Sequence, residues 1–243
     1  MEVIVKENGE EAGRATAGVI ASAIRINPNL VLSLPTGSTP VDTLKGLVRM
    51  HEQEGLNFSQ VTGFNMDEYV GLSKDHPQGY YYFLNDLLYS KVNINPNNTF
   101  VPNVLADDLM SAAQAYTDLI YSKGGFDLIF LGIGRDGHIS FNMPGAALQP
   151  YTHLETLSEA TIADNARFFE NPARVPTKAM TIGLKIILDS RKVILLANGE
   201  GKSQIIADWL NNQKISTSIP ASFLWLHNDV TVVLDKAAAS KLQ

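Results

Sequence analysis

Asp136 and His138 stand two residues apart in the glycine-rich stretch GIGRDGHISFNMPG (132–145), which directly follows the apolar run FDLIFL (126–131). A histidine can take or give a proton near neutral pH, and a carboxylate beside it can orient the ring and stabilise the imidazolium. The glycines would let a substrate come close to the backbone. A histidine satisfied by local backbone in a structural loop is the alternative. The Asp-Gly-His order after a buried strand favours an acid–base pair.

A second candidate is the carboxylate of Asp67, in the stretch FNMDEYVGL (64–72). One carboxylate near a substrate carbon can act as a general base. Adjacent residues point apart on an extended chain, so we do not expect Asp67 and Glu68 to act as a pair. Taken alone, the two residues are more typical of a helix cap or a solvated turn.

A third stretch, LPTGSTP (34–40), runs from a strand into Thr36, Gly37, Ser38 and Thr39, just before a helix. Amides at a helix start together with three hydroxyls are typical of an anion site, and phosphate is the most natural ligand. The spacing and the lysine of a nucleotide P-loop are missing. A tight turn with a serine or threonine cap is the alternative.

Two basic residues could reach a phosphate: Arg174 in ARVP, and Lys202 in NGEGKSQ after the run KVILLA (192–197). Each alone would more often be a solvated surface charge. The sequence has no histidine and carboxylate cluster with metal spacing and no serine nucleophile elbow. The glycines of 132–137 have the wrong spacing for a dinucleotide fingerprint. We therefore expect neither a metal nor a cofactor.

The scaffold that would hold these loops follows from alternating strands and helices. Patterns predict strands at 2–6, 29–34, 61–66, 99–102, 126–131, 192–197 and 230–235, and helices at 10–26, 41–53, 80–89, 106–122 and 201–212. Strands that are apolar on both faces indicate a mostly parallel sheet covered on both sides, a three-layer α/β/α, modified Rossmann-like fold. Ligands bind beyond the carboxyl ends of such strands, so the loops should meet there.

Composition limits the classes of protein that remain. The 243 residues are 45% hydrophobic and 18% charged, and no linker divides them, so we expect one domain over 1–243. Weak periodicity and polar residues over 148–178 predict a lid. The absence of cysteine excludes disulfides and thiolate chemistry. A net charge of −6 argues against nucleic-acid binding but permits a small anionic substrate.

The N-terminal stretch MEVIVKENGEEAGRA has no basic region followed by an apolar core, and no apolar run is long enough to span a bilayer. We therefore expect a cytoplasmic protein that does not interact with membranes.

The stretches LPTGSTP, NMDEYVGL, LGIGRDGHISFN and RVPTKAMTIG together resemble the glucosamine/galactosamine-6-phosphate isomerase family, in order and over nearly the whole chain. The tail STSIPASFLWLHNDVTVVLD is also similar, and its IPASFLWLH resembles the galactosamine branch most. The resemblance implies aldose–ketose isomerisation coupled to loss of ammonia. A hexosamine 6-phosphate would become a ketohexose 6-phosphate, either fructose or tagatose 6-phosphate.

The resemblance also implies roles. Asp67 would move a proton from carbon 2 to carbon 1, and His138, held by Asp136, would open the sugar ring. The phosphate would be bound by Gly37, Ser38, Arg174 and Lys202, as the loops alone also suggest for the stretch 36–39.

Met143 departs from the family pattern, which reads Phe-Asn-Glu-Pro where this chain reads FNMP. Methionine carries no charge and is a weak acceptor. We predict slower ring opening, with the step at carbon 2 less affected.

Two alternatives stay open. The stretch GRDGHIS is also similar to 6-phosphogluconolactonases, and Met143 is compatible with a weakly active or non-catalytic sugar-phosphate binding protein. The sequence leaves open glucosamine against galactosamine, and a monomer against a homo-oligomer.

Overall fold

The computed structural model of the chain describes residues 1–157, Ile162 and 175–243. The strands in this part are β1 (Glu2–Lys6), β2 (Val31–Leu34), β3 (Thr62–Asn65), β4 (Asp67–Tyr69), β5 (Thr99–Phe100), β6 (Leu128–Leu131), β7 (His153–Thr156), β8 (Lys178–Thr181), β9 (Val193–Ala197) and β10 (Val230–Asp235). The α-helices with described bounds are α1 (Gly9–Ile26), α2 (Val41–Glu54), α3 (Tyr80–Leu87), α4 (Leu109–Ser122), α5 (Leu184–Leu188) and α6 (Ser203–Leu210).

The main sheet of the described residues has seven strands in the order β1-β10-β9-β6-β2-β3-β5, and every pair in it is parallel. On one side of β2, the strands that follow it in the sequence are added in the order β3 and β5. On the other side, the strands are added in the order β6, β9 and β10. The strand order therefore reverses between β2 and β6, and in open α/β sheets ligands bind beyond the carboxyl ends at such a point.

The two faces of the sheet pack into two separate cores, because successive side chains of a strand point to opposite faces. In β6, Leu128 and Phe130 join a core formed with α1, α2 and α3. Ile129 and Leu131 join the core on the other face, formed with α4, α5 and α6. Helices on both faces of a parallel sheet make the three-layer α/β/α fold that the sequence predicts.

Helix α4 begins three residues later than the predicted start at 106. The carboxylate of Asp108 accepts hydrogen bonds from the backbone N–H groups of Met110 and Ser111, each at 3.0 Å. These contacts satisfy amides that an α-helix leaves unpaired at its start, so Asp108 fixes the first turn.

A small antiparallel sheet in the order β4-β8-β7 was missed by the sequence analysis. The sequence predicts a single strand at 61–66. In the structure, β3 of the main sheet ends at Asn65, and the chain enters β4 of the small sheet at Asp67. In the pairing of β4 with β8, Asp67 lies opposite Thr181. The three strands read DEY, HLET and KAMT and contain no apolar run, so they lack the signal that marks the buried strands of the main sheet.

Part of the predicted lid at 148–178 belongs to this small sheet, because β7 spans His153–Thr156 and β8 begins at Lys178. Apart from Ile162, residues 158–174 lie outside the described residues, so the lid stays a prediction. None of the helices in the described part combines the length and apolar character that a membrane crossing needs.

Candidate active site

Four loops meet at the carboxyl edge of the main sheet, after β2, β3, β6 and β9, and they surround a cavity of about 370 Å³. Seven of the residues that the sequence analysis singled out line it: Thr36, Gly37, Ser38, Thr39, Asp67, His138 and Lys202. The predicted convergence of the loops follows from the strand order, because β9, β6, β2 and β3 are consecutive neighbours in the sheet.

The loop after β2 presents amides and hydroxyls to the cavity. Gly37 has a φ of 97°, a left-handed conformation that a side chain would strain. Helix α2 starts after Pro40 without any side-chain cap, so the hydroxyls of Ser38 and Thr39 do not serve its first turn. The capped-turn alternative therefore does not describe this loop. Its amides and hydroxyls, together with the positive end of α2, suit an anion.

Asp67 brings a buried carboxylate to the cavity wall, with only 7% of the residue exposed. Its Oδ2 accepts a hydrogen bond from the hydroxyl of Ser140 at 3.0 Å. Burial raises the pKa of Asp67 to about 7, although the Ser140 hydrogen bond lowers it and the charge of Glu68 raises it further. A carboxyl with a pKa near neutrality can both take and return a proton at physiological pH.

Glu68 lies on the same strand but has a different task. Its carboxylate accepts the backbone N–H groups of Tyr69, Tyr80 and Tyr81, each at 2.9 Å. It therefore caps the start of α3 and ties that helix to β4. Burial raises the pKa of Glu68, and the three backbone hydrogen bonds oppose that rise.

His138 and Asp136 form the pair that the sequence suggests. Nδ1 of the imidazole lies 2.6 Å from Oδ1 of Asp136, and His138 also lines the cavity. Burial raises the pKa of Asp136, but the hydrogen bond and charge of His138 outweigh it, so the net pKa is lowered. A Cβ on Gly134 would overlap both the ring and the carboxylate. Glycine at that position is therefore what allows the pair to form.

Lys202 joins two of the loops. It lies in the 3-10 turn Glu200–Lys202 that precedes α6, and its Nζ donates to the carbonyl oxygen of Ile133 at 2.6 Å. Arg174, the other predicted phosphate ligand, lies outside the described residues.

Arg135 and Ser140 are polar residues of the cavity lining that were not recognised as site residues from the sequence. Arg135 is exposed, and its guanidinium lies beside Gly201 next to Lys202. Like Lys202, Arg135 is a cation in a loop directly after a strand, and that position is the sequence signal that marks it. No local signal marks Ser140.

Met143 does not line the cavity in the described structure. Its half-buried side chain packs against an apolar cluster formed by Tyr69, Phe141, Leu157 and Ala179. Tyr69 and Phe141 belong both to this cluster and to the cavity lining, whereas Met143 belongs to the cluster alone. Within residues 1–157, 162 and 175–243, no three histidine or carboxylate side chains are grouped to hold a metal ion.

Comparisons with known proteins extend over the whole chain. The model of the family described as glucosamine-6-phosphate isomerases/6-phosphogluconolactonase matches residues 6–233. A glucosamine-6-phosphate deaminase of Clostridium perfringens is 47% identical over 243 residues, covering all of both chains. One from Clostridium botulinum is 45% identical over 243 residues, covering 100% of this chain and 99% of the relative.

Solved structures show the same fold. A monomeric glucosamine-6-phosphate deaminase, 41% identical, superposes with a TM-score of 0.96 and covers 99% of this chain and 100% of its own. A 6-phosphogluconolactonase from Trypanosoma brucei, 21% identical, has a TM-score of 0.80, covers 100% of this chain and 98% of its own, and shares the fold alone. The chain belongs to the glucosamine-6-phosphate isomerase/6-phosphogluconolactonase family.

Proposed function

We propose that this chain is an amino-sugar-6-phosphate deaminase/isomerase. It converts a hexosamine 6-phosphate and water into a ketohexose 6-phosphate and ammonia. The observation that carries the proposal is that a buried carboxylate, Asp67, shares one cavity with an anion-suited loop and with His138, whose ring is bonded to Asp136. Full-length relatives at 45–47% identity that are named glucosamine-6-phosphate deaminases support it.

Binding begins at the phosphate. The amides and hydroxyls of Thr36–Thr39 and the ammonium of Lys202 hold it at one end of the cavity. Arg174 is a proposed further ligand. Phosphate contacts remote from the reacting carbons supply binding energy that positions carbon 1 and carbon 2.

His138 catalyses the opening of the sugar ring. Asp136 engages Nδ1, so Nε2 is the ring nitrogen that exchanges a proton with the sugar. Nε2 takes the proton of the anomeric hydroxyl and delivers it to the ring oxygen as the bond between carbon 1 and that oxygen breaks, which releases the aldehyde at carbon 1.

Asp67 then carries out the isomerisation. Its carboxylate takes the proton from carbon 2 of the open-chain sugar. The electron pair shifts to carbon 1, whose oxygen takes a proton from the 2-ammonium group, and an enolamine forms. The protonated Asp67 returns the proton to carbon 1, which becomes the CH₂OH group and leaves an iminium ion at carbon 2. Water adds to carbon 2 and ammonia departs. A carboxyl whose pKa lies at about 7 suits both halves of this transfer.

The identity of the amino sugar is proposed from the relatives. Their names favour glucosamine 6-phosphate, with fructose 6-phosphate as product. Galactosamine 6-phosphate is the second candidate because of the stretch IPASFLWLH (219–227). We also propose that residues 1–243 form one domain, since the main sheet includes both β1 near the N-terminus and β10 near the C-terminus.

The test is an assay of ammonia and ketose 6-phosphate with glucosamine 6-phosphate, galactosamine 6-phosphate and 6-phosphogluconolactone. We expect both products to appear together from an amino sugar and to be lost in Asp67→Asn. The Asp118→Asn variant, on the exposed face of α4, is the matched control. Lactone hydrolysis without ammonia release would replace the proposal with a lactonase. Tight binding of hexosamine phosphate without turnover would identify a sugar-phosphate binding protein.

A further inference from the structure

Ser140 holds a backbone conformation that is unusual for its residue type. Its φ is 53°, and among the described residues only Gln213 is another non-glycine residue with a positive φ. L-residues avoid this left-handed region because Cβ crowds the backbone. Ser140 lines the cavity next to the proposed catalytic groups, where such conformations tend to be kept for a purpose.

The conformation brings the Ser140 hydroxyl between two side chains that are distant in sequence. Oγ lies 3.0 Å from Oδ2 of Asp67 and 2.7 Å from Oγ1 of Thr181. Thr181 is fully buried, and its Oγ1 accepts the backbone N–H of Phe141 at 3.0 Å. Thr181 also lies opposite Asp67 in the pairing of β8 with β4.

The direction of the hydrogen bonds follows from the groups themselves. An ionised Asp67 can only accept, so Ser140 must donate to it, and Thr181 must then donate to Ser140. The Phe141 amide completes the chain by donating to Thr181. A proton on Oδ2 would change the first link, because the Ser140 hydroxyl would then accept from Asp67 instead of donating to a carboxylate. The hydrogen bond that Ser140 donates is strongest to the charged carboxylate, so it favours that form.

We propose that Ser140 and Thr181 are positioning residues that keep Asp67 in the carboxylate form, aimed at the substrate, inside a site whose burial disfavours the charge. This inference rests on the proposed role of Asp67 as the base. Neither hydroxyl needs to contact the reacting carbons for this role.

The surroundings of Asp67 show why such support is needed. Burial raises the pKa of Asp67 to about 7, and the Ser140 hydrogen bond is the contact that opposes burial. Glu68 adds a further rise through its charge. Among the described residues, the other titratable groups around the site are Tyr69 on β4, Tyr80 on α3 and Tyr116 on α4, together with Arg135, Asp136 and His138 in the loop after β6, Lys202 after β9, and His153 opposite Thr181 on β7.

A purely structural role is the competing explanation, because the same hydrogen bonds join β4, β8 and the loop after β6. The two explanations differ in pH dependence. Loss of a structural tether lowers activity equally at every pH. Loss of the donor to Asp67 lowers activity most where the proton competes with the hydrogen bond, so the acid limb of kcat/KM moves to higher pH.

The experiment compares pH profiles of kcat/KM for the wild type, Ser140→Ala and Ser140→Gly. Both variants remove the hydroxyl, but only glycine also relieves the left-handed backbone. We expect the pKa that defines the acid limb of kcat/KM to rise by about one unit in both variants. A shift of that size corresponds to the free energy of about one hydrogen bond to a charged group. With that shift, kcat/KM falls roughly fivefold near pH 7 and by less than about twofold near pH 9.

Variants of Thr181 test the second link of the chain. Thr181→Val removes the hydroxyl at constant shape and should move the acid limb in the same direction, whereas Thr181→Ser keeps the hydroxyl and should retain the wild-type profile. Ser190→Ala is the matched control, because Ser190 is a buried serine outside the cavity that bonds the carbonyl of Ile187 at 2.7 Å. Its profile should not change.

The inference is overturned if the acid limb of kcat/KM lies at the wild-type pH in both Ser140→Ala and Thr181→Val. Any loss of kcat/KM would then be the same at every pH. Turnover in Asp67→Asn would overturn the proposed base instead, so the two failures are distinct. The protonation of Asp67 can also be followed without turnover, by infrared titration of the carboxyl band that Asp67→Asn removes. A midpoint that is the same in the wild type and Ser140→Ala would contradict the inference independently.

Discussion

Oδ1 of Asp136 accepts two hydrogen bonds from the same residue, one from Nδ1 of His138 at 2.6 Å and one from its backbone N–H at 3.2 Å. The carboxylate therefore sets the tautomer of the ring and its orientation together. The remaining nitrogen, Nε2, is the one available to a sugar in the cavity.

Replacement of Asp136 by asparagine should disable this arrangement. The amide can donate to Nδ1, which would place the ring proton on Nε2 and stabilise an imidazolium poorly. We expect kcat to fall by about 10²- to 10⁴-fold, the usual contribution of general acid–base catalysis, with a smaller change in KM. Steady-state ammonia release measures it, with Asp118→Asn as control. Unchanged kcat would remove Asp136 from the ring-opening pair.

A methyl group at position 134 should separate His138 from Asp136. A Cβ on Gly134 would overlap both side chains, so Gly134→Ala should lower kcat by at least about 10²-fold. The free energy of unfolding should fall by about 1–3 kcal/mol from overpacking. Gly18→Ala on α1 is the control, because a Cβ there has no neighbour within 4 Å. Wild-type turnover in Gly134→Ala would show that the pair tolerates displacement.

Burial of the Asp67 carboxylate should cost stability at neutral and higher pH. The pKa of about 7 in the folded protein exceeds the ordinary value of 3.8, so the folded state binds the proton more tightly than the unfolded chain. The resulting stabilisation is complete below about pH 4 and is lost as the pH rises through about 7.

Asp67→Asn should therefore be more stable than the wild type by about 2–4 kcal/mol near pH 8, while it is inactive, and the difference should shrink as the pH falls towards about 4. Denaturant unfolding of both proteins at several pH values measures this. A difference that does not depend on pH would mean that Asp67 is not a strained, buried carboxylate.

A glutamate at position 143 should restore part of the ring-opening machinery at a structural cost. Met143 packs in the apolar cluster of Tyr69, Phe141, Leu157 and Ala179, so a carboxylate there is unfavourable unless it turns towards the His138 side of the loop. We expect Met143→Glu to raise turnover of the ring-closed substrate by about tenfold. Met143→Gln, of similar size and uncharged, is the control.

The diagnostic comparison is between two steps. Solvent hydrogen exchange at carbon 2, measured with open-chain substrate, should change little between the wild type and Met143→Glu, while ring opening should accelerate. Equal changes in both steps would contradict the assignment of this position to ring opening.

The sequence by itself determined the parallel character of the main sheet and the loops in which we propose the active site. Runs such as FDLIFL and KVILLA are apolar on both faces and alternate with helical patterns, which indicates strands covered by helices on both sides. The loops after parallel strands must lie at one edge of the sheet. The sequence therefore predicts one group of residues there, formed by Thr36–Thr39, Asp67, Asp136, His138 and Lys202. The separate roles of Asp67 and Glu68 were partly foreseen, since neighbours on a strand point apart.

Only the tertiary structure decided the contacts between distant segments. Ser140 reaches Asp67 and Thr181 across 73 and 41 residues of sequence, and no local pattern records that approach. The same holds for the apolar cluster around Met143. The sequence allows a helix cap at Asp67 and Glu68, but only the structure shows that Glu68 caps α3, twelve residues further along the chain. Periodicity reports which face of an element is buried. Which side chains meet there, and therefore how strongly a buried carboxylate is supported, depends on the path of the whole chain.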